Sequence, residues 1–207
     1  MTNVLIVEDS FISREYFRRL LTDTGRYSVT GCLENAANAE IVCMRGQINL
    51  VLMDVCTADD ESGLTAAAGI KRHYPHIKVI IMTSMPEISF LRKARESGCD
   101  GFWYKENREP LLAEVCDRVM KGEYIWPERT PEVAVGLARS TELTERELEV
   151  IRELAAGGRY EDISGKLHIS VNTVKYHIKN ILQKTGFHST IQLVAEVVEK
   201  RLILPKY

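Results

Sequence analysis

The strongest constraint on this chain is an alternation along its first part. Across residues 1–121, short apolar runs (3–7, 27–33, 49–55, 78–84 and 101–105) take turns with amphipathic stretches (11–24, 36–45, 63–74, 88–97 and 110–120). The amphipathic stretches carry helical spacing, and the runs VLIV, LVLM and VIIM are apolar enough to be strands covered on both faces. Strands alternating with helices predict a parallel sheet sandwiched between helical layers. Gly25, Gly46 and Gly98 stand just past three of the helical stretches, where a left-handed C-cap residue is wanted.

The alternation stops near Lys121. The stretch to about Thr141 holds two prolines and no clear period, and reads as a linker with one short helix. Beyond it the strand signals vanish, and four helices are expected over 144–156, 160–167, 171–185 and 190–202. Thr144 and Glu147 have the capping-box spacing that satisfies the first free amides of a helix. Gly157 and Gly158 then end that helix. The expected fold class is therefore α/β plus all-α. It comprises a doubly wound, flavodoxin-like five-stranded parallel sheet over 1–121, a linker over 122–141 and a four-helix domain over 142–207. A length of 207 residues accommodates two such units.

Composition excludes several classes. No apolar run approaches the ~20 residues of a membrane span, and the N-terminus lacks the basic start of a secretory signal. The five cysteines are scattered and form no Cys-x-x-Cys pair, which suits a reducing cytoplasm and argues against disulfides or structural zinc.

Ligands of a doubly wound sheet bind outside the carboxyl ends of its strands. Strand one ends there in Glu8 and Asp9, strand three in Asp54, strand four in Thr83 and Ser84, strand five in Lys105. Crowded carboxylates repel, and a hard cation such as Mg2+ relieves them. A lysine and a hydroxyl aimed at the same point can hold phosphoryl oxygens. The composite is a Mg2+ site beside a nucleophilic aspartate, the requirement for phosphoryl transfer onto a carboxylate. Each residue alone reads equally well as a solvated strand end or a helix cap, but their convergence from four strands does not.

With VLIVEDS, LVLMD, VIIMTS and GFWYK in these positions, the first half resembles the receiver domain of bacterial two-component response regulators. The resemblance implies Asp54 as phosphoacceptor, Glu8 and Asp9 as the Mg2+-binding pair, and the backbone carbonyl of Cys56 as a further ligand. It makes Thr83 the hydroxyl that moves toward the phosphoryl group, Lys105 its ion-pair partner, and Phe102 the aromatic that rotates inward with Thr83. One departure stands out. The loop after the acceptor reads VCTADDES, lacks the usual Met-Pro pair and reaches Gly63 one residue late, carrying Asp59, Asp60 and Glu61. Such a loop bears on metal geometry, kinase docking and the lifetime of the phosphoryl group.

The second half carries its own electrostatic signal. From Ile163 to Ala195 there are four lysines and no acid, a local charge of +4 in a chain of net charge −2. On a helical wheel for 171–185, Val174, Ile178, Ile181 and Leu182 share one side. Asn172, Lys175, Tyr176, Lys179 and Gln183 share the other, where their donors suit base edges and phosphates. An ordinary surface helix looks similar, but the sharp break after Leu167 and the absence of acids favour a recognition helix. LTERELEVIRELAAGG and ISVNTVKYHIKNILQKTG are similar to the LuxR-type helix-turn-helix domain of NarL/FixJ regulators. By that similarity Lys175, Tyr176 and Lys179 would probe bases, and Asn172, Thr173 and Lys184 would contact phosphates. The last helix would offer a dimer contact. Ser164 and Gly165 depart from the family's preference for alanine in the second helix.

Together the resemblances imply a cytoplasmic transcription regulator rather than a dedicated enzyme. Its partners would be a sensor histidine kinase and double-stranded promoter DNA, with RNA polymerase a further one, and it would dimerise when phosphorylated. The alternative is a DNA-binding regulator with an atypical receiver that works without phosphorylation. A haloacid-dehalogenase-type phosphatase would need a second aspartate two residues after the nucleophile, where this chain has Cys56. A ligand-sensing quorum regulator would share only the C-terminal half.

Overall fold

A computed structural model describes residues 1–106, 110–200 and 202–203. It divides into two compact units, one of 1–84 and 90–128, the other of 85–89 and 129–207.

In the first unit, β1 (Thr2–Val7), β2 (Tyr27–Leu33), β3 (Leu50–Asp54), β4 (Lys78–Thr83) and β5 (Gly101–Tyr104) form one parallel sheet in the order β2-β1-β3-β4-β5. They alternate with α1 (Phe11–Thr22), α2 (Ala39–Arg45), α3 (Gly63–His73), α4 (Ile88–Glu96) and α5 (Leu112–Met120). Every residue of β3 and β5 is buried, which is why these strands read as unbroken apolar runs. Val4, Ile6, Leu50, Leu52, Ile80 and Met82 pack from the sheet against Phe17, Leu21, Leu112 and Val115 of α1 and α5. Strand order reverses between β1 and β3, so a switch-point crevice opens where those two strands end. Gly25 and Gly98 take the left-handed conformation expected of them. Gly46 does not: its φ of −104° is extended, because α2 ends by running directly into the approach to β3.

The stretch read as a linker is more ordered than its sequence suggests. Ile125 is buried against β5, accepting a hydrogen bond from the Phe102 amide (2.9 Å) and donating one to the Asp100 carbonyl (3.1 Å). Trp126 lies beneath the Arg95 guanidinium, 4.9 Å from ring centroid to Cζ. Further on, β6 (Ala134–Val135) and β7 (Ala138–Arg139) form an antiparallel hairpin, with a 3-10 turn at Ser140–Glu142. The short helix expected there is thus a turn preceded by a hairpin. Each hairpin strand is only two residues long, too short for any period to register.

The second unit holds α6 (Glu145–Ala155), α7 (Tyr160–Leu167), α8 (Val171–Thr185) and α9 (Thr190–Glu199). Leu148, Ile151, Ile163, Val174, Ile178, Ile181, Leu193 and Val197 form its core, and Val135 of the hairpin joins them. The hairpin tip crosses the end of α8 so closely that a Cβ on Gly136 would lie 2.1 Å from the Thr185 carbonyl oxygen. Among the described residues, no helix is long and apolar enough to cross a membrane.

Candidate functional site

The end of β1 and the end of β3 lie side by side, with Val7 paired to Met53, so Glu8 and Asp54 emerge at the same level. Carboxylate oxygens of Glu8, Asp9 and Asp54 all lie within 4.8 Å of one another. Glu8 and Asp54 are buried, and Asp9 is exposed at the mouth. Lys105, one residue past β5, brings Nζ to 2.8 Å from Asp54 Oδ2 and 2.6 Å from Glu8 Oε2. Its backbone amide donates to the Thr83 carbonyl (2.9 Å), which locks the ends of β4 and β5 together.

Three carboxylates face one lysine here. Burial pushes the Asp54 carboxyl up to about 7, Glu8 and Asp9 add to the rise by repulsion, and Lys105 opposes it. Burial acts to lower the Lys105 pKa, but Asp54 and Glu8 outweigh that effect and raise it. Glu8 Oε2 is buried without a hydrogen bond of good geometry despite its nearness to Lys105. An all-oxygen donor set in which three carboxylates face a single lysine carries excess negative charge, and this fits a hard divalent cation.

Thr83 ends β4 and Phe102 lies within β5, the strand that leads to Lys105. Thr83 is buried at the end of β4, and its partner across the register is Tyr104 rather than Phe102, which pairs with Ile81. Phe102 is buried, with its ring edge-on to Tyr104 at 5.0 Å between centroids. Tyr104 is an aromatic that the sequence reading passed over, although its position next to Lys105 was a signal.

The longer loop after Asp54 turns back on itself. Cys56 bridges to Ser62 in antiparallel fashion, and Thr57 Oγ1 donates to the Glu61 carbonyl (2.8 Å). The extra residue is taken up by Asp59, whose φ of +59° is left-handed, in a 3-10 turn over Ala58–Asp60. Asp59 Oδ2 accepts from Asn35 Nδ2 (2.9 Å), so its charge is engaged at the β2–α2 loop. The side chain of Asp60 lies outside the described residues. Gly63 opens α3 directly against the acceptor: a Cβ there would lie 1.7 Å from the Asp54 carbonyl oxygen.

In the second unit, α7 and α8 are joined by a tight turn. His168 takes the left-handed conformation (φ +53°), and Ser170 caps α8 by accepting from the Thr173 amide (3.1 Å). Ser164, unusual by family preference, has a role here: its hydroxyl donates to the Ile169 carbonyl (2.5 Å) across the turn. Gly165 has open space where a Cβ would go. Asn172, Lys175, Tyr176, Lys179 and Gln183 are exposed along one face of α8, while Val174, Ile178 and Ile181 are buried. Thr173 is half-buried, its hydroxyl 2.8 Å from that of Ser170.

Two of the four lysines between Ile163 and Ala195 are ion-paired to acids outside that segment. Lys166 pairs with Glu153 at 2.7 Å, and Lys184 pairs with Glu147 at 2.7 Å while also donating to the Glu142 carbonyl. Lys184 is exposed, yet its ammonium is engaged by Glu147 and the Glu142 carbonyl within its own unit. Among the described residues, Lys175 and Lys179 make no ion pair, and they border a groove of about 550 Å3 with Tyr160, Gln183 and His188.

A parallel sheet with an acid cluster and a lysine at its switch point, followed in one chain by a helix-turn-helix unit, defines a receiver-bearing transcription regulator. The model for the response regulator receiver domain matches residues 4–117, and that for bacterial regulatory proteins of the luxR family matches residues 141–197. The response regulator protein VraR of Staphylococcus aureus (strain NCTC 8325 / PS 47) is 30% identical over 210 residues, covering 97% of this chain and 98% of that one. VraR of Staphylococcus epidermidis (strain ATCC 12228 / FDA PCI 1200) is also 30% identical over the same length. RcsB from Salmonella enterica serovar Typhimurium, bound to promoter P1flhDC with phosphomimetic BeF3-, shares the fold with a TM-score of 0.62 at 22% identity. That likeness covers 95% of this chain and 97% of that one. The chain belongs to the two-component response regulators with a LuxR-type DNA-binding domain.

Proposed function

We propose that Asp54 accepts a phosphoryl group from a sensor histidine kinase, and that phosphorylation controls dimerisation and promoter binding. The observation that carries this reading is the convergence of Asp54, Glu8, Asp9 and Lys105 at one strand-order switch. Glu8, Asp9, Asp54 and the Cys56 carbonyl would hold Mg2+, which supplies charge neutralisation for phosphoryl transfer when bound. An Asp54 carboxylate oxygen forms the new O–P bond as the bond from phosphorus to the kinase histidine nitrogen breaks. Lys105, already 2.8 Å from Asp54, stays with the added negative charge, and Thr83 donates its hydroxyl to a phosphoryl oxygen. Tyr104 pairs with Thr83 across the β4–β5 register and its ring meets that of Phe102, so a shift of the Thr83 hydroxyl would be passed to β5.

The unit over 142–207 then reads promoter DNA through α8, with Lys175, Tyr176 and Lys179 toward bases and Asn172 and Thr173 toward phosphates. A cytoplasmic protein with a kinase, a second copy of itself and DNA as partners follows from this reading. The test is labelling by radioactive acetyl phosphate with Mg2+. Wild type is expected to be labelled and Asp54→Ala not, and equal labelling of the variant would remove Asp54 from the role.

A further inference from the structure

We propose that Arg14 is a positioning residue for divalent-cation binding, clamping the acid pair and coupling it to the loop after Asp54. The proposal rests on the reading above that the acid cluster binds a divalent cation. Arg14 stands in the first turn of α1 on the same buried stripe as Phe17 and Leu21. A guanidinium on a core-facing stripe is costly unless its donors are used.

They are used on backbone rather than on the acid side chains. Nη1 donates to the carbonyl of Glu8 (2.6 Å) and reaches the carbonyl of Asp9 (3.3 Å). Nη2 donates to Glu34 Oε1 (2.7 Å). Glu8 and Asp9 therefore cannot rotate about the β1–α1 turn without breaking bonds to a buried cation. The clamp continues outward. The Glu34 carbonyl accepts from the Ala58 amide (3.0 Å), and Asn35 Nδ2 donates to the Ala58 carbonyl (3.0 Å). Arg14 thus links the turn carrying Glu8 and Asp9, through Glu34, to the loop that begins at Cys56.

Three carboxylates within 4.8 Å repel, and Asp9 is exposed and able to swing away. Groups that orient metal ligands from behind alter affinity by roughly 10–100-fold when removed. A purely stabilising arginine would instead change the melting temperature and leave metal affinity in the folded protein alone.

The test is titration of the full chain with Mn2+ alone, reading free Mn2+ by its paramagnetic resonance signal, together with thermal unfolding. Arg14→Lys keeps a charge but loses the fork, and is expected to weaken Mn2+ about tenfold. Glu34→Gln alters a side chain that is 67% exposed, so the fold survives it, and is expected to weaken Mn2+ several-fold. Wild-type affinity in both folded variants would overturn the clamp. Failure of the wild-type chain to bind Mn2+ would overturn the metal site itself, and the clamp with it.

Discussion

Lys184 lies with its Nζ 2.7 Å from Oε2 of Glu147, an ion pair that ties the last turn of α8 to the first turn of α6. Glu147 is buried and already closes the Thr144 capping box, accepting from the Thr144 amide (2.8 Å) and hydroxyl (3.0 Å). Removing the lysine leaves a buried carboxylate short of a donor. Lys184→Ala is therefore expected to destabilise the second unit by about 1–3 kcal/mol, measured by urea unfolding. Its effect on the salt slope of DNA binding is expected to be small, unlike that of a phosphate-contacting lysine.

The same pair sets an acid response. Burial acts to raise the Glu147 carboxyl, but Lys184 and Thr144 outweigh it and hold it below the ordinary value of 4.5. The fold therefore favours the charged form. That stabilisation is complete above about pH 4.5 and fades as acid protonates the group below it. Glu147→Gln is expected to be less stable than wild type at pH 7, with the gap narrowing as the pH falls below the ordinary carboxylate range. Urea midpoints at stepped pH check this, and a gap that widened in acid would refute the assigned sign.

Gly63 makes a third case. A Cβ would sit 1.7 Å from the carbonyl oxygen of the proposed phosphoacceptor, and backbone cannot yield as a flexible side chain does. Gly63→Ala is expected to cost about 3 kcal/mol or more, beyond ordinary overpacking, and to impair acetyl phosphate labelling by displacing Asp54. Thermal unfolding and labelling together read both effects. A wild-type melting temperature would show that α3 can start without this close approach.

The sheet was legible because strands covered on both faces leave a run of apolar residues that no solvent-facing element needs. The acid cluster followed, since strand ends place Glu8, Asp9, Asp54 and Lys105 without further information. What escaped had no period to show. Ile125 joins the edge of β5 as a single buried residue, and the 134–139 hairpin has two-residue strands. The +4 count could not reveal that Lys184 meets a partner 37 residues earlier. Arg14, by contrast, left a readable mark: a charge three residues before Phe17 and seven before Leu21 falls on the core-facing stripe of α1.

The exposed face of α8 separates base reading from simple charge attraction. Lys175 and Lys179 are exposed cations without ion-pair partners among the described residues, and Tyr176 is 62% exposed despite its size. A residue that reads a base is expected to cost about 1–3 kcal/mol on the preferred site and to relax discrimination at one position. A residue that only meets phosphate is expected to weaken all duplexes alike and to lower the salt slope by about one unit. Lys179→Ala and Tyr176→Ala are accordingly expected to shrink the ratio of specific to non-specific affinity. Lys184→Ala, folded at low temperature, is expected to leave that ratio and the salt slope near wild type. The measurement is a binding titration of each variant on promoter and scrambled duplexes at several salt concentrations. A collapsed ratio for Lys184→Ala with an unchanged one for Lys179→Ala would mean that α8 meets DNA through its C-terminal end instead of this face.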